Sequence, residues 1–132
     1  MKIAVVILFH GSKAEGSEKA AHRIVDAVRQ RGKYSLVEAA FLQHARPCLM
    51  DTIQSLAQQQ AGKIVIVPFF LQTGMHVTAE IPVLVKEAQK RHPKIPIAVT
   101  NAVGSHSLMA DVVLDLAGQA EYVNAVTTAD AD

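Results

Sequence analysis

The chain has 132 residues, of which 50% are hydrophobic and 19% charged, with a formal net charge of +1. That suffices for one domain with a sizeable core and is too apolar for a disordered segment. No Lys/Arg cluster marks a nucleic-acid face or a polybasic membrane patch, and no segment approaches the roughly 18–20 apolar residues of a membrane span.

A lone cysteine, Cys48, excludes an internal disulfide framework and suits a reducing compartment. The opening MKIAVVILF imitates a secretory leader. However, HGSKAE stands where a small-residue cleavage site belongs, so the segment is expected to be a buried strand of a cytoplasmic protein.

The elements alternate along the chain. Ile3–Phe9 is a continuous apolar run, as in a strand covered on both faces. Ala20, Ala21, Ile24, Val25 and Val28 recur at helical spacing between Ser17 and Arg31, and Gly32 closes the segment. Leu36–Leu42 is a second strand. Leu49, Ile53, Leu56 and Ala57 mark a second helix, stopping near Gly62. Ile64–Phe70 is the third strand, and Ile81, Leu84, Val85 and Ala88 give a third helix that closes before His92-Pro93. Ile95–Val99 and the stripe Leu108, Val112, Leu116, Ala120 complete the pattern. The domain is expected to span residues 1–123, with a frayed tail at 124–132.

Four strands alternating with four helices predict an α/β domain with a four-stranded parallel sheet. Right-handed crossovers make 2-1-3-4 the simplest doubly wound order. Ligands then bind beyond the carboxyl ends of strands 1 and 3, where chain order reverses. The loops expected there are HGSKAEGS and LQTGMHVTAEIP, each with one histidine, His10 and His76.

Strands lie about 4.8 Å apart, so these two imidazoles could meet on one ion. Imidazole suits cobalt, nickel, iron or zinc. A site with only two protein nitrogens keeps positions open, as a protein that releases its metal requires. His22, His44 and His92 read as ordinary surface residues. HGSKAEGS could alternatively cradle a phosphate ahead of a helix, although it matches no phosphate-loop motif. Ser12 is not set in a nucleophile elbow.

HGS after the first strand, AAFLQHARPCLMDTI around the second, VPFFLQTGMHVTAEIP after the third and VGSHSLMADVV at the last helix together resemble the small class II chelatases of CbiX type. The resemblance covers nearly the whole chain in order. It implies a lyase that inserts cobalt, or nickel or iron, into sirohydrochlorin for cobalamin or sirohaem synthesis. The metal is then a substrate and no organic cofactor takes part. It further implies that His10 and His76 are the metal ligands. The short form would work as a homodimer, two copies standing in for the two lobes of longer relatives.

The chain departs from the family pattern at Gln43, where a glutamate is usual, at Phe9 and Lys13, where Gly and Arg are usual, and mildly at Glu80. Two pyrrole protons must leave as the cation enters, and a glutamine takes no proton. Gln43 therefore counts with His10 and His76 among the catalytic positions, and Gln43→Glu is expected to speed insertion with little change in affinity. A substrate edged with carboxylates calls for cationic and amide donors around an apolar slot. The candidate contacts are Ser12, Lys13, Arg46, Thr73, Gly74 and Met75, with Ser105 and His106 near the opening and Phe70, Leu71 and Met75 along the slot. The competing possibilities are a metal or tetrapyrrole carrier descended from a chelatase and a flavodoxin-like nucleotide binder.

Overall fold

A computed structural model describes residues 2–72 and 74–123, without the side chain of His76. Thr73 and the expected tail at 124–132 lie outside the described residues. The elements are β1 (Ile3–Phe9), α1 (Ser17–Gln30), β2 (Leu36–Phe41), α2 (Leu49–Gln58), β3 (Lys63–Pro68), α3 (Met75–Arg91), β4 (Ile97–Val99) and α4 (Leu108–Ala120), with a 3-10 turn at Val103–Ser105.

The four strands form one parallel sheet in the order β2-β1-β3-β4, as the alternation predicts. Side-chain alternation divides the core in two. Ala4, Val6, Leu8, Ile64 and Ile66 face Leu49, Ile53 and Leu56 of α2 and Val77, Ile81 and Ala88 of α3. Val5, Ile7, Phe9, Val37, Ala39 and Phe41 face Ala21 and Val25 of α1. Helices thus lie on both faces of the sheet, and β1, buried from Ala4 to Phe9, is apolar throughout. Each fully buried Leu or Ile here contributes about 1.5–3 kcal/mol.

Several boundaries differ from the sequence expectation, and three of them have a local reason. β3 ends at Pro68, although the Phe69 N–H still donates to the Leu8 carbonyl at 2.7 Å. β4 begins at Ile97, two residues late, because Pro96 has no N–H and the Ile95 carbonyl is taken by Gln89. The largest difference is α3, which starts at Met75 and carries Pro82 in its interior. Val77 is buried and extends the stripe Ile81, Leu84, Val85, Ala88 by one turn. Burial of that stripe offsets the hydrogen bond that proline omits. His76 therefore belongs to the first turn of a helix and not to a loop.

Gln89 fastens the α3–β4 connection. Its Nε2 donates to the carbonyls of His92 (3.0 Å) and Ile95 (2.8 Å), and its Oε1 accepts the Ile97 N–H (3.1 Å). Gln89→Ala leaves three partly buried backbone groups without this partner. It is expected to cost about 1–3 kcal/mol, read as a lower urea midpoint at unchanged slope.

Candidate metal-handling site and its cleft

The site forms where β1, β2 and β3 leave the sheet. The ladder continues past the strand ends: the Leu42 N–H donates to the Phe9 carbonyl (3.0 Å) and the Gln43 N–H to the His10 carbonyl (3.1 Å). Gly11 makes this closeness possible. Its φ is +90°, and a Cβ there would stand 1.7 Å from the Gln43 carbonyl oxygen. Only glycine has both the conformation and the space.

The two loops also meet through side chains. Gln43 Nε2 lies 3.1 Å from His10 Nδ1, and that same ring nitrogen lies 3.3 Å from the Gly11 carbonyl oxygen. One nitrogen thus faces a donor and an acceptor. When Nδ1 is bare it accepts from the amide, and the ring proton sits on Nε2. When Nδ1 carries the proton it donates to Gly11, and a turned amide receives it through Oε1. Only the second arrangement frees the Nε2 lone pair for a metal. The sequence expectation treated Gln43 as a neighbour of the macrocycle, whereas the structure puts it directly on His10.

The His10 ring is exposed and stands edge-on to Phe70, with ring centroids 6.1 Å apart. It also borders an open cleft of about 470 Å³ between the strand ends and α1. The floor of this cleft is aromatic: the Phe9 ring lies 5.6 Å from that of Phe41 and 5.3 Å from that of Phe69. Ile24 and Ala20 form one wall, and His10, Ser12, Ser17, Glu18 and Arg23 supply polar groups.

Among the expected contacts, Ser12 lines this cleft. Lys13, on the same loop, and Arg46, three residues after Gln43, are exposed. Gly74 caps α3, and Met75 at its first position is 90% exposed. Phe70 does not line the slot; it is buried in the α2–α3 side of the core, and Phe69 takes the cleft position. Ser105 and His106 border a separate opening of about 810 Å³ beyond β4. The 3-10 turn there is pinned to the loop after β3. The Gly104 N–H donates to the Phe70 carbonyl at 2.9 Å, and a Cβ on Gly104 would meet the Leu71 carbonyl oxygen at 2.1 Å.

Two backbone amides of HGSKAEGS are already engaged within the loop, which weakens the phosphate alternative. The Ala14 N–H donates to Ser12 Oγ (3.0 Å) and the Ser17 N–H to the Ala14 carbonyl (3.3 Å). Sequence reasoning did not single out Arg23, Phe41 or Phe69. A signal was present: β1 and β2 end on phenylalanine and β3 is followed at once by another, each where the chain leaves the sheet.

A family model matches residues 4–120, and that family is CbiX. The chain belongs to the CbiX family. The sirohydrochlorin ferrochelatase of the Arabidopsis thaliana chloroplast is 33% identical over 111 residues, covering 84% of this chain and 49% of that protein. The sirohydrochlorin cobaltochelatase of Methanosarcina acetivorans is 28% identical over 119 residues, covering 85% of this chain and 92% of that one. In structure, the CbiX chain superposes with a TM-score of 0.81 on the sirohydrochlorin chelatase SirB from Bacillus subtilis subspecies spizizenii in complex with cobalt, at 24% identity. That match covers 93% of this chain and 51% of SirB. The CbiX chain thus spans about half the length of the plant and Bacillus relatives and nearly all of the archaeal one. This superposition confirms the class II chelatase fold.

Proposed function

We propose that this CbiX chain inserts a divalent metal, cobalt first among the candidates, into sirohydrochlorin. The observation that carries this is His10, held by Gln43 at the mouth of an aromatic-floored cleft on the ligand-binding edge of the sheet. The relatives add support: the archaeal protein matched over nearly its full length is named for cobalt insertion. Nickel and iron use the same nitrogen ligands, so the metal rests on that likeness and not on the imidazoles.

In this proposal the metal is a substrate. His10 and His76 hold the ion, and the macrocycle lies over the rings of Phe9, Phe41 and Phe69. Arg23, Lys13 and Arg46 meet its carboxylates by charge-assisted hydrogen bonds, with the Ser12 hydroxyl beside them and Gly74 and Met75 flanking the other side. As M²⁺ enters, two pyrrole N–H bonds break and two protons pass to bases or water, so charge balances without an organic cofactor. A cleft of about 470 Å³ is shallow for a whole tetrapyrrole. We therefore propose a homodimer whose second copy closes over the other face. The lone, exposed Cys48 fits a reducing, cytoplasmic setting.

The test is to mix the purified chain with sirohydrochlorin and Co²⁺ and follow the absorption spectrum. Conversion well above the protein-free rate is expected, falling at least about a hundredfold in His10→Ala, the scale of removing an essential group. A protein-free rate in the wild type would refute the enzyme. Gln43 favours one second reading, a carrier, which would bind Co²⁺ or the macrocycle without joining them.

A further inference from the structure

His10 owes its place to Gly11, which lets the backbones leaving β1 and β2 touch. A second glycine stands in the corresponding relation to the segment that leads to His76. β3 ends at Pro68, Phe70 turns into the core, and α3 begins at Met75 with His76 in its first turn. Leu71 and Gln72 are exposed, Leu71 at 73%, so core packing does not fix this stretch. Among the described residues, one hydrogen bond ties residues 70–72 to another part of the chain: the Gly104 N–H donates to the Phe70 carbonyl at 2.9 Å.

The backbones approach closely at Gly104. A Cβ there would overlap the Leu71 carbonyl oxygen and stand 2.6 Å from both the carbonyl carbon and Cα of Leu71, all backbone atoms. The φ of Gly104 is not positive, so an alanine would adopt the same conformation and space alone demands the glycine. The turn that carries it is braced. The Ser105 N–H and hydroxyl both donate to the Ala102 carbonyl, at 3.0 and 2.7 Å. The His106 N–H donates to the Val103 carbonyl at 3.0 Å, and His106 Nδ1 accepts the Leu108 N–H at 3.0 Å. Before the turn, the Thr100 N–H donates to the Ile66 carbonyl at 2.9 Å and fastens its entry to β3. Of the two backbones in contact, the exposed stretch at Leu71 is therefore the one that gives way.

We propose that Gly104 is a positioning residue for metal binding: by seating the braced turn on the Leu71 backbone, it fixes where the chain after β3 delivers His76. It is no ligand itself and acts only through the path of that segment. Each histidine thus depends on a glycine near its strand exit, Gly11 through conformation and space, Gly104 through space. Relieving the overlap of an added Cβ moves the Leu71 backbone by about 1 Å, and misplacement on that scale costs up to about a hundredfold. The inference rests on the two-histidine reading above.

The test is titration with Co²⁺ alone, followed by its visible absorption, on protein shown to be folded by far-UV circular dichroism. Gly104→Ala should bind at least about tenfold more weakly than wild type. Gln89→Ala, which loosens the α3–β4 joint at the opposite edge of the sheet, should bind as wild type, because lost stability alone does not move His76. In a His76→Ala background Gly104→Ala should cost nothing further, since the residue it positions is gone. Ser105→Ala removes the 2.7 Å brace without adding an atom and serves where Gly104→Ala does not fold. It should weaken Co²⁺ binding about threefold, the scale of one hydrogen bond. Wild-type affinity in Gly104→Ala, or in Ser105→Ala where Gly104→Ala does not fold, would overturn the inference. So would a loss of the same size in Gln89→Ala, or one undiminished by His76→Ala. Wild-type affinity in His76→Ala itself would overturn the two-histidine reading, and the inference with it.

Discussion

Gly11→Ala is expected to cost about 2–4 kcal/mol of stability, the range of strongly destabilising single changes, and to abolish cobalt insertion in whatever remains folded. Two independent penalties act at this position. A left-handed φ of +90° disfavours any residue with a Cβ. The added Cβ would also sit 1.7 Å from the Gln43 carbonyl oxygen and 2.8 Å from its carbon, and both are backbone atoms that cannot swing aside. The ends of β1 and β2 must then separate. This breaks the Gln43 N–H to His10 carbonyl bond and pulls the Gln43 amide away from the His10 ring. Gly16→Ala is the control: its φ is also positive, at +84°, but nothing lies within 4 Å of the added Cβ. It should lose only the conformational part, about 1 kcal/mol, and keep activity. Urea unfolding of both variants provides the measurement. A Gly11→Ala protein as stable as Gly16→Ala would mean that the two loops are not held in contact.

What the residues disclosed before the fold was known follows from range. β1 was legible because a strand covered on both faces must be apolar at every position, a local property, and β3 because Ile64–Val67 is a continuous β-branched run. The sheet order followed from alternation and the handedness of crossovers. The start of α3 was not legible, because Pro82 reads locally as a boundary and only burial of Val77 against the core outweighs it. The His10–Gln43 contact joins residues 33 apart in sequence through the parallel ladder of β1 and β2. No spacing rule encodes such a pair. The cleft floor was half legible: a phenylalanine at each strand exit is visible in the sequence, but whether Phe69 or Phe70 faces the cleft depends on how the chain turns after Pro68.

Gln43→Glu is expected to tighten Co²⁺ binding and to accelerate insertion, each by at least about tenfold. From sequence alone the change would alter the rate and spare the affinity, because residue 43 was assigned to the macrocycle side. The 3.1 Å contact with His10 Nδ1 changes that expectation. A glutamine satisfies either ring tautomer, so the metal-ready form, with the proton on Nδ1, competes with one in which Nε2 is blocked. A carboxylate only accepts. It therefore holds Nδ1–H and keeps the Nε2 lone pair free, and such partners of ligating histidines are typically worth about 10–100-fold in metal affinity or activity. The added negative charge close to the cation acts in the same direction. The rate gains separately, since a carboxylate near the departing pyrrole protons can receive one, a contribution of about 10²–10⁴-fold where the geometry is good. Titration with Co²⁺ and the insertion assay divide the two effects. A gain in affinity alone would make residue 43 a positioning partner of His10. A gain in rate alone would return it to the macrocycle side. No gain in either would mean that the amide already holds His10 in its metal-binding form, and that the glutamine of this chain is no handicap to chelation.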